Sequence, residues 1–98
     1  MVVTPVALKA SVADAQPPEA VAGPLAALWW AAKGDWKKAH SIVMNDEGSD
    51  AAWVHAYLHR VEGDLPNAGY WYRTAGKPVA RSPLDEEWAA IAADLLAR

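Results

Sequence analysis

Apolar side chains recur along this chain with the spacing of helices. Leu25, Leu28, Trp29 and Ala32 stand at i, i+3, i+4 and i+7, one face of a helix that opens at Pro24 and stops at Gly34. Asp35 is placed to cap the next helix. There Trp36, Ala39, His40 and Val43 repeat the spacing, with Ile42 beside them, until Asn45-Asp46-Glu47-Gly48 breaks it. A third helix is predicted from Ser49 or Asp50 through Glu62, carrying Trp53, Val54, Tyr57, Leu58 and Val61. Gly63-Asp64 is again a stop followed by a cap, and Leu65, Ala68, Trp71 and Tyr72 form a fourth apolar face closed by Gly76 and Pro78. Ser82-Pro83-Leu84-Asp85 predicts a last helix, with proline in first position and Asp85 answering Ser82 in a capping box. Leu84, Trp88, Ile91 and Leu95 line it, while three acidic residues at its start and Arg98 at its end suit its dipole. No segment alternates with period two, so the pattern predicts an all-α fold.

The first 23 residues read differently. Four of the seven prolines (Pro5, Pro17, Pro18 and Pro24) fall in the first 24 positions, which sets residues 1–23 apart as a Pro/Ala-rich leader. Thr4 before Pro5 suits an N-cap and first-position pair, so Pro5 to about Ala15 is expected either as a short helix or as an extended, loosely docked strand of chain. The packed body is then residues 24–98.

Within that body the pattern occurs twice. The two Gly-Asp junctions are 29 residues apart, and Ala32-Lys33-Gly34-Asp35-Trp36-Lys37-Lys38-Ala39 corresponds to Val61-Glu62-Gly63-Asp64-Leu65-Pro66-Asn67-Ala68. The same shift sets Leu25 on Val54, Leu28 on Tyr57, Trp29 on Leu58, Ile42 on Trp71 and Val43 on Tyr72. Apolar meets apolar each time, as in a duplicated helical hairpin. Glycine supplies the positive-φ stop, Asp caps the following helix, and the small Ala39 and Ala68 let paired helices close up.

Gly34-Asp35-Trp36-Lys37-Lys38-Ala39 resembles the stretch joining helix A to helix B in tetratricopeptide-repeat and Sel1-like proteins. The resemblance covers about residues 24–76, with residues 82–97 in the place of the terminal capping helix. Leu28-Trp29-Trp30, Lys33 to His40 and Ala52 to Arg60 are similar to small bacterial proteins of this type. The period of 29 departs from the usual 34, and the proline that separates successive repeats in the family is missing. What the resemblance implies is a two-repeat α/α hairpin array that binds a partner in the groove its A helices line; it carries over no activity. Solenoids usually need about three repeats, so the leader, the C-terminal helix or a second copy is expected to cover the ends.

Composition sharpens this picture. The chain has 98 residues, 22 of them alanine, with no Phe, six Trp and three Tyr, so aromatic rings have to supply the bulk of a small core. Nine basic against twelve acidic residues give a net charge of −3, which offers no electrostatic basis for nucleic-acid binding. No cysteine is present, which removes thiol nucleophiles, disulfides and thiolate metal ligands and points to a reducing cytoplasm. The start lacks the basic and apolar blocks of a signal peptide, and the longest uncharged run, Ala20 to Ala32, is too short for a membrane span.

The most chemical feature is on the third predicted helix. His55, His59 and Glu62 stand at i, i+4 and i+7, within about 60° of one another. The large apolar residues point the other way, so this stripe is expected to face solvent or a concave groove. It is a candidate for polar contacts with a partner, or for a divalent ion with the carboxylate as third ligand. The glutamate that follows the first histidine in zinc-protease helices is here Ala56, so the base of that chemistry is missing. His40 is read as a structural group at a helix–helix contact. Trp29, Trp36, Trp53, Trp71 and Trp88 take core positions, whereas Trp30 projects off the stripe and is a candidate anchor for a partner or a second copy, with Tyr70 and Arg73. No nucleophile elbow, calcium loop or phosphate-binding glycine loop occurs. The expected function is a non-catalytic protein-interaction module without a cofactor. The alternative is a small metal- or ligand-binding protein using His55, His59 and Glu62.

Overall fold

A computed structural model describes residues 3–98. Among them are six α-helices and a single 3-10 turn, with no strand. The helices are α1 (Pro5–Ala10), α2 (Pro24–Lys33), α3 (Trp36–Val43), α4 (Ser49–Glu62), α5 (Leu65–Ala75) and α6 (Leu84–Leu96), and the 3-10 turn, Ser11–Ala13, follows α1. The all-α expectation therefore holds. None of these helices is long and apolar enough to cross a membrane.

The two Gly-Asp junctions share one geometry. Gly34 has φ 94°, ψ 8° and Gly63 has φ 88°, ψ 7°, the left-handed region that only glycine enters without strain. Asp35 N–H donates back to the Trp30 carbonyl and Asp64 N–H to that of His59, each over 2.9 Å. The carboxylates then cap the next helix, Asp35 Oδ1 accepting from Lys38 N–H over 3.0 Å and Asp64 Oδ1 from Asn67 N–H over 3.3 Å. Helix α2 packs on α3 and α4 on α5 across these junctions.

Helix α4 is the centre of the molecule, touching α2, α3, α5 and α6. Every residue from Val54 to His59 is buried. One apolar cluster gathers Leu8, Leu28, Trp29, Val43, Val54, Leu58, Trp88 and Ile91, and a smaller one joins Ala56, Ala68 and Tyr72. Indole N–H groups fasten elements together: Trp29 donates to Ser11 Oγ (2.9 Å), Trp36 to the Leu58 carbonyl (2.7 Å) and Trp88 to the Leu28 carbonyl (2.8 Å). Of the five tryptophans expected at core positions, Trp29 and Trp88 are fully buried, and Trp36, Trp53 and Trp71 are half-buried. Leu65 and Val61, expected on apolar faces, lie exposed at the Gly63 turn. Leu65 borders an open surface recess with Tyr72, Val79 and Ala80 instead.

The capping box predicted at Ser82 is absent. Pro83 is the N-cap of α6, with no side-chain cap, and Asp85 Oδ1 accepts from the adjacent Glu86 N–H (3.0 Å). The Ser82 carbonyl accepts instead from the Arg60 guanidinium. Arg60 also pairs with Glu87 (2.8 Å), and the Tyr72 hydroxyl donates to the other oxygen of that carboxylate. Arg60, Tyr72 and Glu87 thus join α4, α5 and α6 in one network around a carboxylate that is only 4% exposed. At the other end, Leu8 of α1 is completely buried and α1 packs on α6 and α2. Lys33 Nζ donates to the Val12 and Asp14 carbonyls, each over 2.7 Å.

Candidate functional site

The two histidines of the α4 stripe do not face solvent, whereas Glu62 at its end does. His55 and His59 are 4% and 6% exposed, in the seam where α3 and α5 meet α4. The correction has a physical cause. The large residues of α4 mark one apolar arc, but Ala51, Ala52 and Ala56 are buried as well, so the helix is enclosed almost all round and its histidines are enclosed with it.

Helix α3 brings His40 to the same place. Its Nε2 lies 3.0 Å from His55 Nε2, a hydrogen bond in which one imidazole donates and the other accepts. His55 and His59, one turn apart, stack at 4.8 Å between ring centroids. One nitrogen from each of His40, His55 and His59 lies within 4.8 Å of one from each of the others. These are the only three histidines in the chain. His40, read from the sequence as a structural contact, is therefore also the third member of the cluster.

Two tryptophans wall it. Trp36 stacks on His40 (4.7 Å, 10° between planes) and Trp71 on His55 (3.9 Å, 15°). Outside the cluster, Lys38 reaches the ring of Trp30 and Lys77 that of Trp53.

Glu62 orients the remaining ring. Its Oε1 accepts from His59 Nδ1–H over 2.7 Å. In the neutral ring this contact puts the proton on Nδ1 and leaves the lone pair on Nε2. Asn67 Nδ2 of α5 stands 3.4 Å from that Nε2. His55 Nδ1 is buried without a hydrogen-bond partner. Burial and the nearby imidazoles push the His55 pKa down to about 4, and burial, with the His59 imidazole adding to it, lowers that of His40 against the pull of Glu62. Both rings are neutral at pH 7. A second donor group, His59, Glu62 and Asp64, overlaps the first at its exposed edge. Asn67 was not singled out by sequence; its place three residues after the Asp64 cap was the available signal.

Trp71 also lines a surface groove. Met44, Asp46 and Glu47 of the α3–α4 connection face Tyr70, Trp71 and Thr74 of α5 across a cavity of about 420 Å³. Tyr70, a candidate from the sequence, is 53% exposed and meets Trp71 edge-on at 5.0 Å. Arg73, on the same helix, is exposed. Trp30 lies apart from both: it is half-buried, edge-on against Trp29 at 4.9 Å, with Lys38 Nζ 5.4 Å from its ring centre. It is less free to anchor a partner than its position off the stripe suggested.

No protein-family model, curated protein or solved structure matches this chain.

Proposed function

We propose that the chain is a non-catalytic interaction module of the tetratricopeptide-like kind. Two α/α hairpins are covered at their ends by α1 and α6, and a partner segment is held in the groove between the α3–α4 connection and α5. The repeated geometry at Gly34-Asp35 and Gly63-Asp64 supports the duplicated hairpin, and the packing of α6 on α1, α2 and α4 supports its role as a cap. A reducing, cytoplasmic setting fits the absence of cysteine.

The observation that carries the binding reading is the make-up of the groove. Half-exposed Met44 and exposed Tyr70 offer apolar surface beside Trp71, with exposed Asp46 and Glu47 on the rim. An adaptable Met and a Tyr that keeps its hydroxyl wet are typical anchors for a partner. The acidic rim selects for positive charge. The occupant is therefore a peptide segment with a large apolar side chain next to Lys or Arg.

Selection of displayed peptides on the untagged chain tests this. Enrichment of apolar–basic segments is expected, with binding reduced at least tenfold by Tyr70→Ala and reduced, with loss of salt dependence, by Asp46→Asn with Glu47→Gln. Selected peptides without that charge bias, or binding indifferent to Tyr70→Ala, overturn the reading. Sedimentation of the protein alone tells whether a second copy takes the groove.

A further inference from the structure

Every nitrogen that this chain can offer a metal from a side-chain imidazole is in one place. The chain has three histidines and no cysteine, and all three histidines converge from two helices on a space bounded by donor separations of at most 4.8 Å. We propose that His40, His55 and His59 bind one divalent first-row transition-metal ion, with Glu62 as the carboxylate that positions His59 and with a fourth coordination position left for water.

The geometry suits such an ion. Zinc–imidazole bonds are about 2.0–2.1 Å long, so two nitrogens on a tetrahedral ion stand roughly 3.3–3.4 Å apart. The His40 and His55 nitrogens stand 3.0 Å apart in a hydrogen bond; an ion replaces that bond once the shared proton moves to the Nδ1 of its own ring and the two nitrogens separate by a few tenths of an ångström. Histidines at i and i+4 on α4 and a third on α3 bring three nitrogens together from two helices.

The surroundings match as well. A metal-bound histidine usually donates its other N–H to a carboxylate or carbonyl, which fixes the tautomer and raises the basicity of the ligating nitrogen. His59 has that arrangement with Glu62 at 2.7 Å. Trp36 and Trp71 lie flat on the rings of His40 and His55, holding them in orientation and keeping water from two sides. Neutral imidazoles also favour Zn²⁺, Co²⁺, Ni²⁺ or Cu²⁺ over Mg²⁺ and Ca²⁺, which require oxygen donors. The sequence had offered Glu62 as third ligand; in the structure it stands behind His59 and His40 takes the inner place.

The test uses the full untagged chain, stripped with a chelator and titrated with Co²⁺ and then Zn²⁺. One equivalent of Co²⁺ is expected to give the visible absorption of a tetrahedral nitrogen site, and Zn²⁺ to displace it while excess Mg²⁺ does not. His40→Gln and His59→Gln should each weaken binding at least tenfold. Glu62→Gln should weaken it roughly 10–100-fold with stoichiometry unchanged. Because His40 is only half-buried, His40→Gln is the variant that keeps the fold, as circular dichroism will verify. Zinc should raise the melting temperature of the wild type and leave that of His40→Gln unmoved. Absence of saturable uptake, or uptake that His40→Gln leaves intact, overturns the proposal and makes the cluster a packing element.

Discussion

Trp71 lies flat against His55, ring centroids 3.9 Å apart, so one indole both closes the histidine cluster and walls the groove. Replacing it therefore affects both. Trp71→Ala removes a half-buried ring and is expected to cost roughly 2–3 kcal/mol, somewhat below the 3–5 kcal/mol of a fully buried tryptophan. Trp71→Phe keeps a stacking face and should cost less than half as much. Urea denaturation of the two variants, both without metal, measures the difference. Equal losses would show that ring stacking is immaterial at this position.

The carboxylate of Glu87 holds three helices through Arg60 and Tyr72. Removing one partner of a buried pair leaves the other charge uncompensated, so Glu87→Ala is expected to cost about 3 kcal/mol. Tyr72→Phe removes one hydrogen bond while Arg60 still pairs with Glu87, and about 1–2 kcal/mol should go. In the double variant the two losses should fall short of their sum, since the tyrosine bond is already gone once Glu87 is removed. Full additivity in denaturant melts would mean that the three side chains do not act as a unit.

Local signals in the sequence located most helix ends, because the physics there is local. Gly34 and Gly63 take positive φ, and Thr4, Asp35 and Asp64 cap the next helix within three residues. At Ser82 the local signal failed: the helix starts at Leu84, one residue later than predicted, and the Ser82 carbonyl accepts from the Arg60 guanidinium of α4. The burial of His55 and His59 was hidden for another reason. Alanine fits both a core and a surface, so Ala51, Ala52 and Ala56 did not announce that the second face of α4 is covered. His40 and His55 are 15 residues apart, and no periodicity within one helix links them. Their meeting depends on how α3 packs against α4.

Alkali provides a pH test that is independent of the histidines. Burial, with the Glu87 charge adding to it, pushes the Tyr57 pKa up to about 12, and burial together with the hydrogen bond to Glu87 raises that of Tyr72 further. In the unfolded chain both hydroxyls ionise near pH 10. Above that pH the unfolded state has lost protons that the folded state keeps, so stability falls as pH rises. The contribution is fully present below about pH 10 and lost as pH climbs through 12. Tyr57 alone should account for a loss on the order of 2 kcal/mol across that window. Tyr57→Phe should flatten this part of the decline while leaving neutral-pH stability within about 1 kcal/mol. A wild-type profile that is flat from pH 9.5 to 11.5 would contradict the burial of these hydroxyls.

Leu8 is the side chain by which α1 enters the core. It is completely buried in the main cluster, and the segment around it is tied down through Ser11 to Trp29 and through Lys33 to Val12 and Asp14. Leu8→Ala is expected to cost about 3 kcal/mol, as for leucine in any well-packed core. Val6, on the same helix but 81% exposed, is the control: Val6→Ala should change stability by less than about 0.5 kcal/mol. The contrast separates a docked helix from a loose leader, because in a loose leader both substitutions would be silent. Protease sensitivity supplies the second reading. If α1 is held by Leu8, cleavage before Pro24 should be slow in the wild type and at least tenfold faster in Leu8→Ala, with residues 24–98 cut no earlier than in the wild type.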